Sequence, residues 1–173
     1  MSAPFTAAED SDCIMVIGAR PEQNHPVAAT YLKQAVKRGA KLMVFDPRRQ
    51  ELMRHATHPV MFAPGRDVPM LNAMIHTIIE EELFDAQYVQ ANVDGFEALR
   101  AKTRDFSPEA MAEICGVDAP YLRELARAFA TATRSIIFWG MGISQHTHGT
   151  DNSRCLLALA LPTGHVGRPG TGL

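Results

Sequence analysis

The sequence predicts an α/β protein: a doubly wound, mostly parallel Rossmann-like sheet with an inserted helical segment at about residues 84–134. Two short apolar runs, Cys13–Ile17 and Lys41–Phe45, do not alternate with polar residues and are typical of strands covered on both faces. Between them, residues 26–38 have the apolar spacing of a helix, and Gly39 follows as a stop. Strand, helix and strand within about 33 residues indicate a crossover between parallel strands.

The remaining elements continue this alternation. Residues 59–63 are predicted to form a third strand and Ser135–Trp139 a fourth. A long helix is expected at residues 68–83 and a last helix at about residues 152–161. The segment at 84–134 contains start and stop residues typical of two or three helices, which we expect to lie on one face of the sheet.

Composition excludes several classes of protein. The chain has 173 residues, of which 46% are hydrophobic, and this is enough for one domain with a full core. Its 17 Lys and Arg against 19 Asp and Glu give a net charge of −2, which argues against a nucleic-acid partner. No apolar run approaches the ~20 residues of a membrane span, and the first residues do not resemble a signal peptide. We therefore expect a cytoplasmic protein with no membrane span.

The three cysteines, Cys13, Cys115 and Cys155, are widely separated and lie in apolar surroundings. Their odd number and spacing favour core residues in a reducing compartment over a disulfide set or a metal cluster.

The predicted strands suggest where a ligand would bind. Three strand–helix links followed by a long helical connection fit the strand order 3-2-1-4, in which strands 1 and 4 are neighbours. Ligands of such sheets bind at this switch point, beyond the carboxyl ends of the strands. The loops at residues 18–24 and 140–145 converge there, and Asp46 and residues 65–67 follow strands 2 and 3.

Residue types in these loops suit a phosphate-bearing ligand. Gly18 and Gly140 would let the main chain approach a phosphate without a Cβ clash. Arg20, Arg48 and Arg66 could balance phosphate charge. The positive end of the first helix would also face an anion placed over the first loop.

Asp46 and Asp67 are the candidate acceptors. Either could accept two hydrogen bonds from ribose hydroxyls or from the N–H pair of a guanine. Both also have purely structural interpretations, because Asp46 followed by Pro47 is a common strand-ending turn and Asp67 could simply cap the next helix. Gly18 alone is equally consistent with a tight turn, and the sequence leaves these alternatives open.

The chain carries no evident catalytic machinery. No Ser/His/Asp or Cys/His set has the setting of an activated nucleophile, and no closely spaced carboxylate pair stands out. His146 and His148 lack a third metal ligand in the sequence around them. We therefore expect a protein that binds a ligand without supplying the groups that transform it.

Six collinear segments resemble the large catalytic subunit of the molybdopterin-dependent formate dehydrogenases, within the wider molybdopterin oxidoreductase family. The resemblance extends from about residue 9 to the end of the chain. The segments are GARPEQNHPVAA, GAKLMVFDPRRQ, PGRDVPMLNAM, IIEEELFDAQYV, SIIFWGMGISQHTHGTDNSR and LPTGHVGRPGTG.

This resemblance implies a ligand, the bis-molybdopterin guanine dinucleotide cofactor, held between two α/β domains of which this segment is most of one. Three groups of residues are then expected to contact it. Those along its phosphates and ribose are Gly18, Ala19, Arg20, Glu22 and Asn24. Those at the nucleotide end are Asp46, Pro47, Arg48, Gly65, Arg66 and Asp67. Those nearer the pterin are Gly140, Met141, Gly142 and Gln145.

The sequence also departs from the family pattern. Arg20 stands where the family usually has Asn, and we expect a charge contact with phosphate in place of the amide hydrogen bonds. The family's N-terminal iron–sulfur cysteines, its metal-binding Cys or selenocysteine and an active-site Arg are absent from this chain. We therefore expect residues 1–173 to be a single domain, a fragment of a larger multidomain enzyme, with no catalytic or metal-binding residues and no turnover by itself.

The implied parent reaction is the two-electron oxidation of formate to carbon dioxide at molybdenum or tungsten, with an iron–sulfur cluster held elsewhere in the parent. The implied partners are the remaining domains of the subunit and the electron-transfer subunits of the dehydrogenase. We expect the isolated chain to bind no cofactor and to expose apolar surface that could support a dimer.

Two other interpretations fit parts of the sequence. One is the nucleotide-binding middle domain of a thiamine-diphosphate enzyme, which also has a strand ending in IGAR and a second ending in Asp. The other is a non-catalytic Rossmann-like binding module.

Overall fold

Four parallel strands form the central sheet in a computed structural model that describes residues 2–173. The strands are β1 (Cys13–Ile17), β2 (Lys41–Phe45), β3 (His58–Val60) and β4 (Ser135–Trp139). Their order across the sheet is β3-β2-β1-β4, which confirms the predicted topology.

Helices form most of the connections between these strands. Within residues 2–173 they are α1 (Pro21–Asn24), α2 (Pro26–Lys37), α3 (Asp67–Glu80), α4 (Ala86–Asn92), α5 (Phe96–Thr103), α6 (Pro108–Cys115), α7 (Ala119–Ala130), α8 (Met141–Ser144) and α9 (Gly149–Ala160). Two 3₁₀ helices, Phe5–Asp10 and Glu51–His55, precede β1 and follow β2. The short helices α1 and α8 lie inside the segments 18–24 and 140–145, which the sequence suggests are loops. No described helix is both long and apolar enough to cross a membrane.

The strand register brings three loops to one edge of the sheet. β1 lies at the centre and is buried along its whole length. Its last residue, Ile17, pairs with Phe45 of β2 and with Trp139 of β4, so the three strands end level with one another. The chain therefore leaves all three strands at the same edge.

Apolar residues of the strands alternate between two cores. On one face Met15, Ile17 and Phe45 pack with α3, α6, α7 and α9. On the other face Ile14 and Val16 pack with α2 and both 3₁₀ helices. Helices on both faces make the fold doubly wound, and the helices of the inserted segment lie on one face, as predicted.

The third strand is shorter than predicted. β3 ends at Val60, whereas the sequence suggests a strand at residues 59–63. The chain leaves the sheet because the Ala63 amide donates to the Cys115 carbonyl of α6 at 2.7 Å instead of to a neighbouring strand. Pro59, which lacks an amide hydrogen, is tolerated because β3 is an edge strand.

The inserted segment contains four helices, so the prediction of two or three was wrong. The later two, α6 and α7, start where the sequence predicts, and the Ser107 side chain caps α6 by accepting from the Ala110 amide at 3.2 Å. The earlier two are short. Asp85 caps α4 by accepting from the Tyr88 amide at 2.9 Å, and Gly95 precedes α5.

Two helix starts also differ from prediction. α3 begins at Asp67 itself, so this residue lies in the first turn and is not the cap. α9 begins at Gly149, three residues before the predicted start at 152. The Asn152 amide already donates to the His148 carbonyl at 2.9 Å, so residue 152 lies inside the helix and does not begin it. α3 ends at residue 80, and Glu82 then adopts a left-handed conformation with φ of 53°.

Both ends of the described chain lie on the outer edge of β4. The Ile137 amide donates to the Gly172 carbonyl at 2.9 Å, a parallel contact beside β4. The Ser2 amide donates to the Leu173 carbonyl at 2.9 Å, and the Leu173 amide donates to the Ser2 hydroxyl at 2.8 Å. This pairing partly covers the edge of the sheet.

The three cysteines are buried free thiols, as expected of core residues. Burial raises the pKa of the Cys13 thiol to about 12 and that of Cys155 to about 11. Both thiols therefore stay protonated near neutral pH and are poor nucleophiles.

The turns after β1 and β4 are in main-chain contact. The Gly142 amide donates to the Gly18 carbonyl at 2.9 Å. A Cβ on Gly142 would stand 2.6 Å from that same oxygen and 2.7 Å from the Gly18 Cα. Gly18 also has a left-handed φ of 59°. The two turns can approach this closely only because glycine occupies both positions.

His165 is a buried residue of the core. Its Nδ1 accepts from the Ser135 amide at 3.4 Å, and its Nε2 lies 3.2 Å from the Phe129 carbonyl, which assigns the proton to Nε2. Its ring meets the Phe129 ring edge-on at 5.4 Å. Burial lowers the pKa of this imidazole from 6.5 to about 4.

Replacing Gly142 with Ala should lower the free energy of unfolding by about 1–2 kcal/mol, because the added methyl group would meet the Gly18 main chain. Helix propensity alone predicts the opposite sign, since Ala favours α8 more than Gly does. Ser144→Ala, an exposed change on the same helix, is the control and should stay within about 0.5 kcal/mol of wild type. Urea denaturation measures both, and equal stability of the two variants would contradict the close contact.

Acid should destabilise the fold through His165. The folded-state pKa lies below the unfolded value, so the stability from the neutral ring is complete above about pH 6.5 and is lost as pH falls towards 4. Between these limits, wild type should lose up to about 3 kcal/mol more than His165→Gln, which can still donate and accept. Denaturation curves at several pH values test this, and parallel pH profiles for the two proteins would refute it.

Candidate functional site

A cleft of about 1020 Å³ opens at the carboxyl edge of the sheet. Residues following all four strands line it, including Gly18 after β1, Asp46 after β2, Asp67 at the start of α3 and Gly140 after β4. The cleft therefore lies at the switch point between β1 and β4, where the strand order predicts a ligand.

The structure brings together twelve of the fifteen residues predicted for the site. Those that line the cleft are Gly18, Ala19, Arg20, Asn24, Asp46, Pro47, Arg48, Gly65, Asp67, Gly140, Met141 and Gly142. Glu22, Arg66 and Gln145 do not line it.

Gly18 and Gly140 allow contact between two turns of the protein, whereas the sequence suggests that they allow a phosphate to approach. A Cβ on Gly140 would stand 3.1 Å from the Gly18 carbonyl oxygen, and Gly18 and Gly142 face each other directly. These three glycines thus allow two turns to touch, and this contact accounts for them without a phosphate. Gly65 is different, because its φ is 73° and a Cβ there would meet no protein atom within 4 Å.

Asp46 is buried and firmly held at the end of β2. Its Oδ1 accepts from the Arg48 amide at 2.8 Å. Its Oδ2 accepts from Gln50 Nε2 at 3.2 Å and lies 3.5 Å from Arg20 Nε. No sequence pattern indicates Gln50, because burial of this polar residue depends on the path of the following 3₁₀ helix.

Arg20 joins the first two loops. Its Nε lies against Asp46, and neither terminal nitrogen donates a hydrogen bond within the described residues 2–173. About a quarter of the side chain is exposed, at 28%. The guanidinium therefore has donors left for an anion in the cleft.

Asp67 is a buried acid at the cleft, only 5% exposed. Burial raises the pKa of its carboxyl group, an effect that its own backbone amide and the nearby charge of His146 partly offset. No side chain among residues 2–173 donates a hydrogen bond to it or forms an ion pair with it within 4.0 Å. A buried carboxylate with open acceptor positions is typical of a ligand-binding group.

His146 also lines the cleft, whereas its sequence context suggests only a fragment of a metal site. His148 lies elsewhere, as the residue preceding α9. In the described part of the chain, no group of three or more His, Cys, Asp or Glu side chains is arranged to hold a metal ion.

Glu22 faces away from the cleft. Its Oε1 lies 3.5 Å from Lys33 Nζ, 3.8 Å from an Arg54 nitrogen and 4.0 Å from His55 Nε2. The carboxylate thus ties α1 to α2 and to the 3₁₀ helix Glu51–His55. Its Oε2 is buried with no partner among the described residues.

The N-terminus of α2 opens on the cleft. His25 and Ala28 both line it, and the first intrahelical donor of α2 is the Ala29 amide. Earlier amides of the helix are free of intrahelical bonds and carry its positive end, which favours an anion.

Aromatic residues form one wall of the cleft that the sequence did not predict. Phe5 stacks on Phe138 with ring centres 5.9 Å apart, and it lies 6.0 Å from the ring of His25. Trp139, at the end of β4, is 37% exposed and Met141 63% exposed. The cleft therefore combines an apolar wall with acidic and cationic groups, an arrangement that suits an elongated organic anion with hydrogen-bond donors.

Comparison with known proteins identifies the family. The profile of the molybdopterin oxidoreductases, described as "Molybdopterin oxidoreductase", matches residues 1–173. The alpha subunit of the F420-dependent formate dehydrogenase of Methanocaldococcus jannaschii is 38% identical over 165 residues, covering 95% of this chain and 24% of that protein. Formate dehydrogenase H of Escherichia coli K12 is 37% identical over 173 residues, covering 100% of this chain and 24% of that protein.

A solved structure shares the fold as well. Acetylene hydratase from Pelobacter acetylenicus has a TM-score of 0.84 and 28% identity, covering 92% of this chain and 24% of that one. The chain thus spans about a quarter of the length of each of these relatives. A match along the whole chain favours this family over the thiamine-diphosphate and stand-alone-module interpretations. The chain belongs to the molybdopterin oxidoreductase family, and formate dehydrogenase alpha subunits are among its relatives.

Proposed function

We propose that this chain is a domain that binds molybdopterin guanine dinucleotide within the catalytic subunit of a formate dehydrogenase. The observation that carries the proposal is Asp67, a buried carboxylate that lines the cleft and receives no side-chain hydrogen bond from the described residues. Relatives that are formate dehydrogenases support the choice of parent enzyme.

Asp67 is the better candidate for the guanine. Its two oxygens can accept the N1–H and N2–H of the base as a pair. Asp46 already accepts from the Arg48 amide and from Gln50, so it has fewer positions left and suits a ribose hydroxyl. The open acceptor positions of Asp67 support it over Asp46 for the guanine, a choice that the sequence leaves open.

Cationic and dipolar groups suit the phosphates. Arg20 and Arg48 line the cleft, and Arg20 retains terminal donors. The N-terminus of α2 adds a positive end, and Asn24 contributes an amide close to it. Gly65 leaves open space beside the main chain, so a ligand could approach it closely.

The pterin end would lie towards β4. Gly140, Met141 and Gly142 line this part of the cleft beside the exposed ring of Trp139. Gln145 is exposed outside the lining, and Arg66 is exposed at the other end, so either would need to turn inwards to contact the ligand. Glu22 would act through its ion pairs, by fixing α1 and hence Arg20 and Asn24.

When bound, the cofactor would supply two-electron redox chemistry at molybdenum or tungsten. The residues of this chain would bind and orient it, and the groups that react with formate would come from other domains, as would an iron–sulfur cluster. The exposed apolar side chains of Phe5, Trp139, Met141 and Leu157 line the cleft, and we propose that bound cofactor and neighbouring domains cover them in the longer protein.

Guanosine diphosphate corresponds only to the nucleotide end of the cofactor, the part for which this chain itself supplies Asp46, Arg48 and Asp67. We therefore expect it to bind the cleft, as measured by calorimetry, although the isolated chain should not hold the whole cofactor. Adenosine diphosphate should bind more weakly, because adenine does not present the guanine N–H pair. Asp67→Asn should raise the dissociation constant for guanosine diphosphate about tenfold.

Asp151→Asn is the matched control, since this exposed carboxylate on α9 does not line the cleft, and its affinity should equal that of wild type. Equal binding of both nucleotides, or an unchanged affinity in Asp67→Asn, would refute the assignment of Asp67 to guanine.

The full-length parent, loaded with metal and cofactor, should reduce a dye when formate is added, whereas the purified 173-residue chain should not. The physical reason is that the chain lacks an activated nucleophile or metal-ligand group near the cleft among its described residues. Formate oxidation by the 173-residue chain with any electron acceptor would contradict the proposal that the reacting groups come from other domains. A cofactor-loaded parent that is inert towards formate would contradict the substrate.

A further inference from the structure

Gln50 occupies a position between the first two loops of the site. It is the residue that precedes the 3₁₀ helix Glu51–His55, and it is 8% exposed. Its Nε2 donates to the Ala19 carbonyl at 3.1 Å and to Asp46 Oδ2 at 3.2 Å. Both partners are acceptors only, which fixes the orientation of the amide and uses both of its N–H groups.

The backbone of Gln50 is itself well anchored. Its carbonyl accepts from the Met53 amide at 3.1 Å, and Leu52 and Met53 are buried in the core beside β2. Glu22 provides a second tie, because its carboxylate lies near Arg54 and His55 of the same 3₁₀ helix. The side chain of Gln50 therefore extends from an anchored backbone. Among residues 2–173 it is the one uncharged side chain that donates hydrogen bonds to both loops.

Without the Gln50 amide, the position of the Asp46 carboxylate would be less constrained. Asp46 Oδ2 would keep only Arg20 Nε at 3.5 Å, a longer contact from a partly exposed side chain. The Ala19 carbonyl would lose its side-chain donor. Among the described residues, the turn after β1 would then be tied to the end of β2 only by the Gly18 amide, which donates to the Phe45 carbonyl at 3.4 Å, and by the Arg20–Asp46 contact. A buried hydrogen bond to a charged acceptor contributes more than one between neutral groups.

We propose that Gln50 is a positioning residue of the nucleotide site, whose amide locks the Asp46 carboxylate to the turn after β1. The proposal rests on the proposed function for its ligand, since Gln50 does not line the cleft and acts through Asp46. Glutamate could not replace it at neutral pH, because a second carboxylate would face Asp46 and would have no donor.

The test compares Gln50→Met, which keeps the length of the side chain but has no donor, with Thr57→Val. Thr57 is the matched control because its hydroxyl bonds the Leu42 amide and carbonyl at the opposite end of β2 from Asp46. Thermal melting should show that both variants fold. Gln50→Met should raise the dissociation constant for guanosine diphosphate about tenfold, and Thr57→Val less than about twofold.

A double-mutant cycle separates positioning from general loosening. In an Asp46→Ala background, Gln50→Met should raise the dissociation constant by less than about twofold, because the group it positions is gone. Gln50→Glu should weaken binding at pH 7 at least as strongly as Gln50→Met. An unchanged affinity in Gln50→Met, or a full tenfold loss in the Asp46→Ala background, would overturn the proposal.

Hydrogen exchange without ligand distinguishes this inference from the proposed function. Gln50→Met should speed amide exchange both in residues 18–20 and in Asp46 and Arg48, whereas Thr57→Val should not. If wild type fails to bind guanosine diphosphate while this exchange pattern appears, the proposed function is wrong and the loop lock stands. If exchange in the two loops is unchanged, the lock itself is refuted.

Discussion

Main-chain contact between the turns after β1 and β4 is the constraint on which the cleft depends. The Gly142 amide bonds the Gly18 carbonyl at 2.9 Å, and there is no room for a Cβ at either residue. β1 and β4 are parallel and end level with one another, so the turns that follow them lie at the same edge of the sheet. Glycine then allows the main chains of the two turns to touch. This contact joins the turns after β1 and β4 where both line the cleft.

Two buried carboxylates at the cleft differ in their hydrogen-bond partners. Asp46 is surrounded by donors from three residues, so its charge is compensated by the protein itself. Asp67 is more deeply buried and lacks such donors among the described residues, so its charge is compensated only weakly. Asp46 is therefore held by the protein itself, whereas Asp67 keeps acceptor positions open, and this difference is the basis for the separate roles proposed for them.

The sequence predicts the sheet well because its signals are local and strong. β1, β2 and β4 have the predicted bounds, since each is a continuous apolar run, and proline and glycine mark α2. Three properties depend on tertiary contacts and were not predictable. The chain leaves β3 early because Ala63 bonds α6. Gln50 is buried by the path of a 3₁₀ helix, and the Glu22 carboxylate lies against Lys33, Arg54 and His55 and not in the cleft. Motif resemblance places residues in a loop but does not orient their side chains.

The hydrogen bonds between Ser2 and Leu173 have a topological consequence. Two ends that meet beside the same strand can be joined by a very short linker, so a circularly permuted chain with new termini at an exposed loop tip is geometrically permitted. Any other segment that connected residues 2 and 173 would likewise have a short distance to span and a small loop-closure entropy.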